Sequence, residues 1–442
     1  MGGTRSPGAG GLSLSVDLSA ADRNVTRSAS ARTPLLSVIM PSPVGVEPQQ
    51  TWSCPGIVMM RDPAGSLPIW SIAPRHRNRK KAIMSSSQRQ TARRPLRVAA
   101  VGLGWVCTHR HLPVMDRLDA YDVVGVIDRQ PGLAESVARR RRYRRHAATD
   151  RLADVPWIDE VDAVTVASAP MSHADLIGQA LALGKHVLTE KPFTMTVAEG
   201  HAVAEAAAAK DLQLAVVHNF QFARSTQKLL ADLADGRLGT LSTINAVQLG
   251  NPRRRLPVWY DTLPFGLFYD ESPHLLYLLG RLAGEIELTR VLTTPHRDGR
   301  NTPGQIDAFF RCPNGMAATL RCNFDSPVSE WHIMAFGDRG LGIVDVFRDI
   351  YIFLPNDGRH DTLRVLRTSL AATTQHWWQH ITSGVPHLAG RLFYGNEEAF
   401  ARFAAAVHGD TEALAPISTA KALAVLELQH AIVARAEEAL RP

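Results

Sequence analysis

The sequence is short of cysteine, of long apolar runs and, over most of its length, of any charge imbalance. Its four cysteines, Cys54, Cys107, Cys312 and Cys322, have neither CxxC spacing nor a histidine cluster beside them. That excludes a zinc finger or other metal centre and a disulfide-stapled scaffold, and it fits a reducing, cytoplasmic setting. Cys312 and Cys322 flank the turn dipeptide Asn314-Gly315; two-residue pairing would set Cys312 opposite Ala317, so no cross-strand disulfide is expected. No stretch approaches the roughly 18 consecutive apolar residues of a membrane helix, so no membrane partner is expected. Acidic residues are scarce in one place only. Of 49 Lys and Arg and 42 Asp and Glu, residues 1–95 hold 13 and 4, which leaves 36 against 38 for the rest. The net charge of +7 therefore belongs to a tail, and the remainder offers no basic groove for nucleic acid.

Residues 1–95 are rich in Gly, Pro, Ser and Arg and show neither strand nor helix periodicity, so they read as a disordered basic tail, with Met84 as an alternative start. Leu35 to Met40, followed by Pro41 and Pro43, is too short and Pro-broken for a signal peptide. Arg93-Arg94 before Leu96 to Gly104 has the look of a twin-arginine signal, but the same apolar run is also the first strand of a nucleotide-binding fold. From Arg97 short apolar strands alternate with helical sequence: Arg97 to Val101, Val123 to Ile127, Ala163 to Ala167, His186 to Thr189 and Leu214 to Val217. This predicts a Rossmann, doubly wound parallel sheet over 96–217. Ser172 with Asp175 and Thr196 with Glu199 read as capping boxes. Beyond His218 the strands lengthen and alternate, with turn signals at Asn314-Gly315, Asp338-Arg339-Gly340 and Asn356-Asp357-Gly358. Residues 218–442 therefore read as an α+β substrate and oligomerisation domain with a large, mostly antiparallel open sheet, closed by a helix from Thr419 to Leu440 that packs back.

Gly102-Leu103-Gly104-Trp105-Val106-Cys107 follows the first strand directly and opens a helix, the context in which a GxG pair signals dinucleotide binding. Gly102 permits the tight turn, Gly104 lets a pyrophosphate approach the backbone, and the helix start supplies N–H donors. Asp128 ends the second strand, 24 residues after Gly104, where a carboxylate accepts from ribose hydroxyls. That favours NAD, while Arg129 beside it keeps NADP open. The arginines at 139 to 142, 144 and 145 could reach a phosphate, but read more simply as a solvated charged face.

Gly184-Lys185-His186-Val187-Leu188-Thr189-Glu190-Lys191-Pro192-Phe193 carries a specific likeness. With His111-Leu112-Pro113, His173, Asn219-Phe220-Gln221-Phe222 and Gly236-Arg237-Leu238-Gly239, it resembles the Gfo/Idh/MocA oxidoreductases over roughly Leu96 to Leu440. The resemblance places Lys191 beside the nicotinamide and the reacting alcohol. It adds Ala169, His173 and Glu190 to the cofactor-binding set of Gly102, Leu103, Gly104, Trp105, Val106, Asp128, Arg129 and Lys191. It makes His274 of Asp270-Glu271-Ser272-Pro273-His274 the proton-transfer residue, with Asp270 one helical turn away positioning it or the substrate. The alternative is that Asp270 is only a helix N-cap and His274 a satisfied interface residue. Two positions depart from the family pattern: Phe265-Gly266-Leu267 stands in place of a Gly-Gly pair, and Gln221 in place of an arginine. Substrate identity is therefore what the resemblance transfers least. The implied activity is hydride transfer between NAD(P) and a secondary alcohol of a sugar, cyclitol or nucleotide sugar, in a homo-oligomer. An NAD-dependent, redox-assisted glycoside hydrolase and a non-catalytic ligand sensor of the same fold are the alternatives.

Overall fold

Six short runs of β-branched and small apolar residues align in one parallel sheet: β1 (Leu96–Val101), β2 (Tyr121–Ile127), β3 (Arg145–Ala147), β4 (Ala163–Val166), β5 (His186–Thr189) and β6 (Leu214–Val216). Their spatial order is β3-β2-β1-β4-β5-β6, the doubly wound Rossmann arrangement. The computed structural model describes residues 94–254 and 256–441. The tail read from residues 1–95 thus lies, all but Arg94 and Pro95, outside the described residues. β4 is buried at every position because helices cover both faces, which is why it reads as a continuous apolar run. Strand order reverses between β1 and β4, and the crevice beyond their carboxyl ends is where such sheets bind ligands.

A π turn over Cys107–His111 leads into α1 (Leu112–Met115); α2 (Leu133–Arg141), α3 (His173–Ala182) and α4 (Val197–Ala209) complete the crossovers. The capping box of α4 forms as its sequence predicts: Glu199 N–H donates to Thr196 Oγ1 at 3.1 Å, and Thr196 N–H returns to Glu199 Oε2 at 3.0 Å. The one read at Ser172 does not. Ser172 ends a 3-10 turn, its hydroxyl engages Ser168 Oγ and the Ala169 carbonyl, and Asp175 accepts from Gln179 instead.

After α5 (Arg224–Ala234) comes the second sheet, β7 (Leu241–Leu249), then α6 (Leu267–Ala283), β8 (Glu287–Thr294), β9 (Gln305–Arg311), β10 (Ala317–Asn323), β11 (Glu330–Gly337), β12 (Gly340–Asp345) and β13 (Ile350–Pro355). Its order is β13-β12-β11-β7-β10-β9-β8, antiparallel except where β7 meets β10. The hairpin after β9 has one residue more in its turn than its dipeptide suggests. Arg311, not Cys312, faces Ala317, and the Cys312 N–H donates to the Met316 carbonyl. Both Cys312 and Cys322 are buried free thiols. α6 packs over β7 and β10, and α9 (Thr419–Leu440) lies across α6 and α4. α7 (Thr362–Leu388) runs along β13, and α8 (Asn396–Val407) returns to the first sheet, giving Phe400 and Phe403 to its core. Both sheets belong to one compact unit. No helix among the described residues is long and apolar enough to cross a membrane.

Candidate active site

The glycine turn after β1 is forced by its surroundings. Gly102 has φ +81°, and a Cβ there would come within 2.5 Å of the Ser168 backbone nitrogen, so no other residue fits. Gly104 is the opposite case: a Cβ there would meet nothing within 4 Å, so the backbone is open on that side for a pyrophosphate to approach at the helix start. Leu103 is placed differently from its reading as a cofactor contact. Its side chain is buried in the core, and its N–H is spent on Asp128 Oδ2 at 2.7 Å. Asp128 Oδ1 accepts from Gln130 N–H at 2.8 Å, which fixes the carboxylate at the end of β2 with lone pairs to spare for hydroxyl donors. Arg129 beside it is exposed. Cys107, in the position of the third glycine, is fully buried between helix and sheet. These features fit an NAD-type dinucleotide.

The arginine cluster is drawn into local ion pairs rather than toward the crevice. Arg141 pairs with Asp116 at 2.7 Å, Arg144 with Asp122 at 3.4 Å and Arg145 with Glu160 at 2.8 Å. Trp105, 43% exposed, stacks on His109, and the Arg110 guanidinium lies 5.1 Å over its ring. Arg110 also lies over Tyr394, Tyr394 meets Phe220 edge-on, and Phe220 meets His274, so an aromatic wall runs from the glycine turn to α6.

At the end of β5 each member of the Glu190-Lys191-Pro192 turn is held separately. Glu190 accepts from or pairs with His111 Nε2 at 2.8 Å, and its Oε2 accepts the Lys191 N–H at 3.1 Å. Burial opposes its charge, yet His111 and Lys191 keep its pKa below the ordinary value. His173, read as a cofactor contact, sits behind the turn. It is fully buried, with Nδ1 2.8 Å from the Pro192 carbonyl and Nε2 3.2 Å from that of Ser168. Ala169 lies half-buried just before, at the start of the turn that accepts from Ser172.

Lys191 reaches across to the second sheet's helix. Its Nζ donates to the Asp270 carbonyl at 2.9 Å and to Asp270 Oδ1 at 3.0 Å, leaving a third N–H. Burial disfavours the ammonium, but the charges of Asp270 and Glu190 outweigh it and raise its pKa, so Lys191 stays charged. Asp270 is not an N-cap. α6 begins three residues earlier, at Leu267, whose N–H donates to Thr302 Oγ1 at 3.0 Å, while Gly266 adopts φ +52° against that same threonine. Pro273 therefore lies inside the helix, not in its first turn. The Tyr269 carbonyl that lacks its partner there accepts from Gln429 Nε2 of α9 at 2.7 Å.

One turn after Asp270, His274 Nδ1 lies 3.0 Å from Tyr277 Oη, which accepts the Phe220 N–H at 2.9 Å. Burial, then the positive charge of Lys191, push the His274 pKa well below its usual value, so the ring is neutral near pH 7. Its Nε2 has no hydrogen-bond partner among the described residues. Tyr277 also stacks on His218, 4.4 Å between centroids. Tyr277 escaped the sequence reading, although its i,i+3 spacing from His274 was the available signal. Gln221, at the departure from the family pattern, is buried and donates to the His218 and Pro416 carbonyls. Behind Asp270, Glu271 pairs with Arg254 at 2.5 Å.

A glycine turn opening a helix at the strand-order reversal of one sheet, with a charged lysine and a neutral histidine brought in from the two sheets, is the build of a dinucleotide-binding fold. Residues 96–218 match the oxidoreductase family with an NAD-binding Rossmann fold, and residues 226–341 match the Gfo/Idh/MocA C-terminal domain. The chain belongs to the Gfo/Idh/MocA family. It is 33% identical over 155 residues to a dTDP-3,4-didehydro-2,6-dideoxy-alpha-D-glucose 3-reductase of Saccharopolyspora spinosa, covering 35% of this chain and 46% of that protein. It is 29% identical over 275 residues to an uncharacterized oxidoreductase of Schizosaccharomyces pombe, covering 60% and 62%. The match thus spans less than two thirds of either relative's length. Among solved structures, the WlbA dehydrogenase of Bordetella pertussis in complex with NADH and UDP-GlcNAcA shares the fold, with a TM-score of 0.63 and 18% identity over 78% of this chain and 97% of that one.

Proposed function

We propose that this protein transfers a hydride between NAD and a secondary alcohol on a sugar, cyclitol or nucleotide sugar, with residues 96–217 holding the dinucleotide and 218–442 the substrate. The single observation that carries this is the Lys191 ammonium 3.0 Å from Asp270, one helical turn from a neutral His274. A bound nicotinamide would supply the hydride acceptor or donor; Gly102, Gly104 and the helix start at Trp105 and Val106 would hold the pyrophosphate, and Asp128 would hold the ribose. Glu190 and Lys191 would line the nicotinamide end of the crevice.

Removing hydride from an alcohol carbon requires its hydroxyl proton to leave as well. Lys191 cannot take that proton while its pKa is raised, but its charge favours the developing alkoxide and its third N–H can bond it. His274 takes the proton at Nε2, since Nδ1 is committed to Tyr277. Asp270 anchors the ammonium so that it faces the same oxygen. The aromatic wall from Trp105 to Phe220 suits the apolar face of a sugar ring. Two named sugar-nucleotide relatives, the 3-reductase and the WlbA dehydrogenase, support that substrate class. Buried free thiols at Cys107, Cys312 and Cys322 support a cytoplasmic setting, and we read the protein as a homo-oligomer.

Lys191→Ala and His274→Ala should each lower turnover by about a hundredfold or more, with dinucleotide affinity nearly unchanged. Near-wild-type turnover of both variants on a substrate that the wild type oxidises would remove the assignment. Net formation of reduced nicotinamide separates this reading from redox-assisted glycoside hydrolysis.

A further inference from the structure

Fifteen large apolar side chains are exposed among the described residues, and nine of them lie on α7. The inner side of this helix is committed. Gln375 and Gln379, one turn apart, accept the Phe353 and Tyr351 N–H groups of the edge strand β13 at 3.0 Å each and donate back to the same residues' carbonyls. α7 thereby closes the sheet edge against further strands. Opposite the two glutamines, the helix presents Leu363 (78% exposed), Leu366, Leu370, Trp377 (64%), Ile381, Val385 and Leu388 (89%) to solvent.

The spacing of that outer row is symmetric. From Leu363 through Leu366, Leu370, Thr374, Trp377, Ile381 and Val385 to Leu388 the steps are 3, 4, 4, 3, 4, 4 and 3. Taken from either end, the series is the same. The 3-4-4 rhythm is the 11-residue repeat that keeps a seam aligned along an almost straight helix. Laid antiparallel on a copy of itself about its midpoint, it sets Leu363 against Leu388, Leu366 against Val385, Leu370 against Ile381, and Thr374 against Trp377. This is the self-complementarity that a twofold interface requires. The row amounts to on the order of 800 Å² of apolar surface, what each partner gives to a standard interface and more than a monomer usually leaves bare.

We infer that α7 is a homodimer interface in which the helices of two copies of this chain pair antiparallel through this row. The same row on a membrane would need a basic flank beside it. α7 carries only Arg364 and Arg367, both near one end, and no lysine. In the antiparallel pair those arginines lie at opposite ends, about 30 Å apart at 1.5 Å per residue, so they do not repel.

The test is sedimentation velocity of the full chain at micromolar concentration. The wild type should run as a dimer or an even multiple, and Trp377→Glu with Ile381→Glu should halve the mass while circular dichroism stays unchanged, since both side chains face solvent in one protomer. Leu370→Cys with Ile381→Cys should oxidise to a covalent dimer on a non-reducing gel, and Leu370→Cys alone should not, because only parallel helices would bring that position to itself. A monomeric wild type, an unchanged mass in the glutamate variant, or cross-linking by Leu370→Cys alone overturns the inference. So does co-pelleting of the wild type, lost in the variant, with vesicles of phosphatidylcholine and phosphatidylserine at equal masses of the two proteins.

Discussion

The Tyr277 hydroxyl stands 3.0 Å from His274 Nδ1 and accepts the Phe220 N–H at 2.9 Å. With that acceptor role filled by the backbone, the phenol proton has two places to go: Nδ1, or Asn219 Oδ1 at 3.5 Å. When it points to Asn219, Nδ1 carries the ring proton and Nε2 is free to accept one; when it points to Nδ1, Nε2 holds a proton to give. Tyr277 thus positions His274 and couples its two tautomers. Tyr277→Phe keeps the stack on His218 but removes this coupling. Turnover should fall about tenfold, at the low end of an acid-base loss, and its pH profile should move, while dinucleotide affinity holds. A fall in affinity with an unmoved pH profile would reduce Tyr277 to a packing role.

Cofactor choice should turn on Asp128. Its carboxylate repels a 2′-phosphate, but it also holds the Leu103 N–H of the glycine turn at 2.7 Å, so truncation acts on both. Asp128→Asn keeps an acceptor for Leu103 and removes the charge; Asp128→Ala removes both. NAD preference over NADP should shrink in each, and overall dinucleotide affinity should fall more in the alanine variant. Fluorescence titration with both cofactors checks this, and tighter binding of NADP by the wild type would give the recognition to Arg129.

Acid should unfold this protein through its histidines. Burial holds the His218 pKa down at about 3, and His173, His186, His274 and His430 are lowered for the same first reason. Below about pH 6.5 the unfolded chain takes protons that the folded one refuses, so stability is full above that value and falls as pH drops toward the folded pKa. For His218 the window runs from about 6.5 to about 3, at roughly 1.4 kcal/mol per pH unit. His218→Phe keeps the stack on Tyr277 and has nothing to protonate. Its melting temperature should fall less steeply between pH 6 and 4 than the wild type's; parallel slopes would mean that His218 is protonated in the fold.

What the sequence made legible came from local, periodic patterns. β7 and α9 run over the residues read for them, because β7 alternates regularly and α9 keeps an apolar stripe that spans two core clusters. The glycine turn and Asp128 stood out because each sits at a strand end, whereas the roles of Lys191, Asp270 and His274 came from the resemblance to the family and not from spacing alone. Distant partners hid the rest. α6 starts at Leu267 through Thr302, a side chain 35 residues away. His173 entered the cofactor-binding set through the resemblance, which gives a residue's position but not its facing; here both ring nitrogens are turned to the Pro192 and Ser168 carbonyls. α7 went unread because its apolar row looks away from the core while two glutamines do its inward packing, the reverse of an ordinary amphipathic helix.

Pro273 and Gln429 should be energetically coupled. A proline in the interior of α6 leaves the Tyr269 carbonyl without its i+4 donor, and Gln429 Nε2 supplies one from α9 at 2.7 Å while also bonding Ser272 Oγ at 2.9 Å. Gln429→Leu strands that buried carbonyl, at a cost of about 1–3 kcal/mol. Part is offset, because the leucine also removes Gln429 Oε1, which is buried with no partner. Pro273→Ala restores an N–H that can close the helical bond to Tyr269, so Gln429→Leu should cost less in that background. Chemical denaturation of the two single variants and the double variant gives the coupling directly. An interaction energy of about 1 kcal/mol is expected, with the double variant more stable than the sum of the singles. If the two effects simply add, the Tyr269 carbonyl does not depend on Gln429, and the helix tolerates Pro273 for another reason.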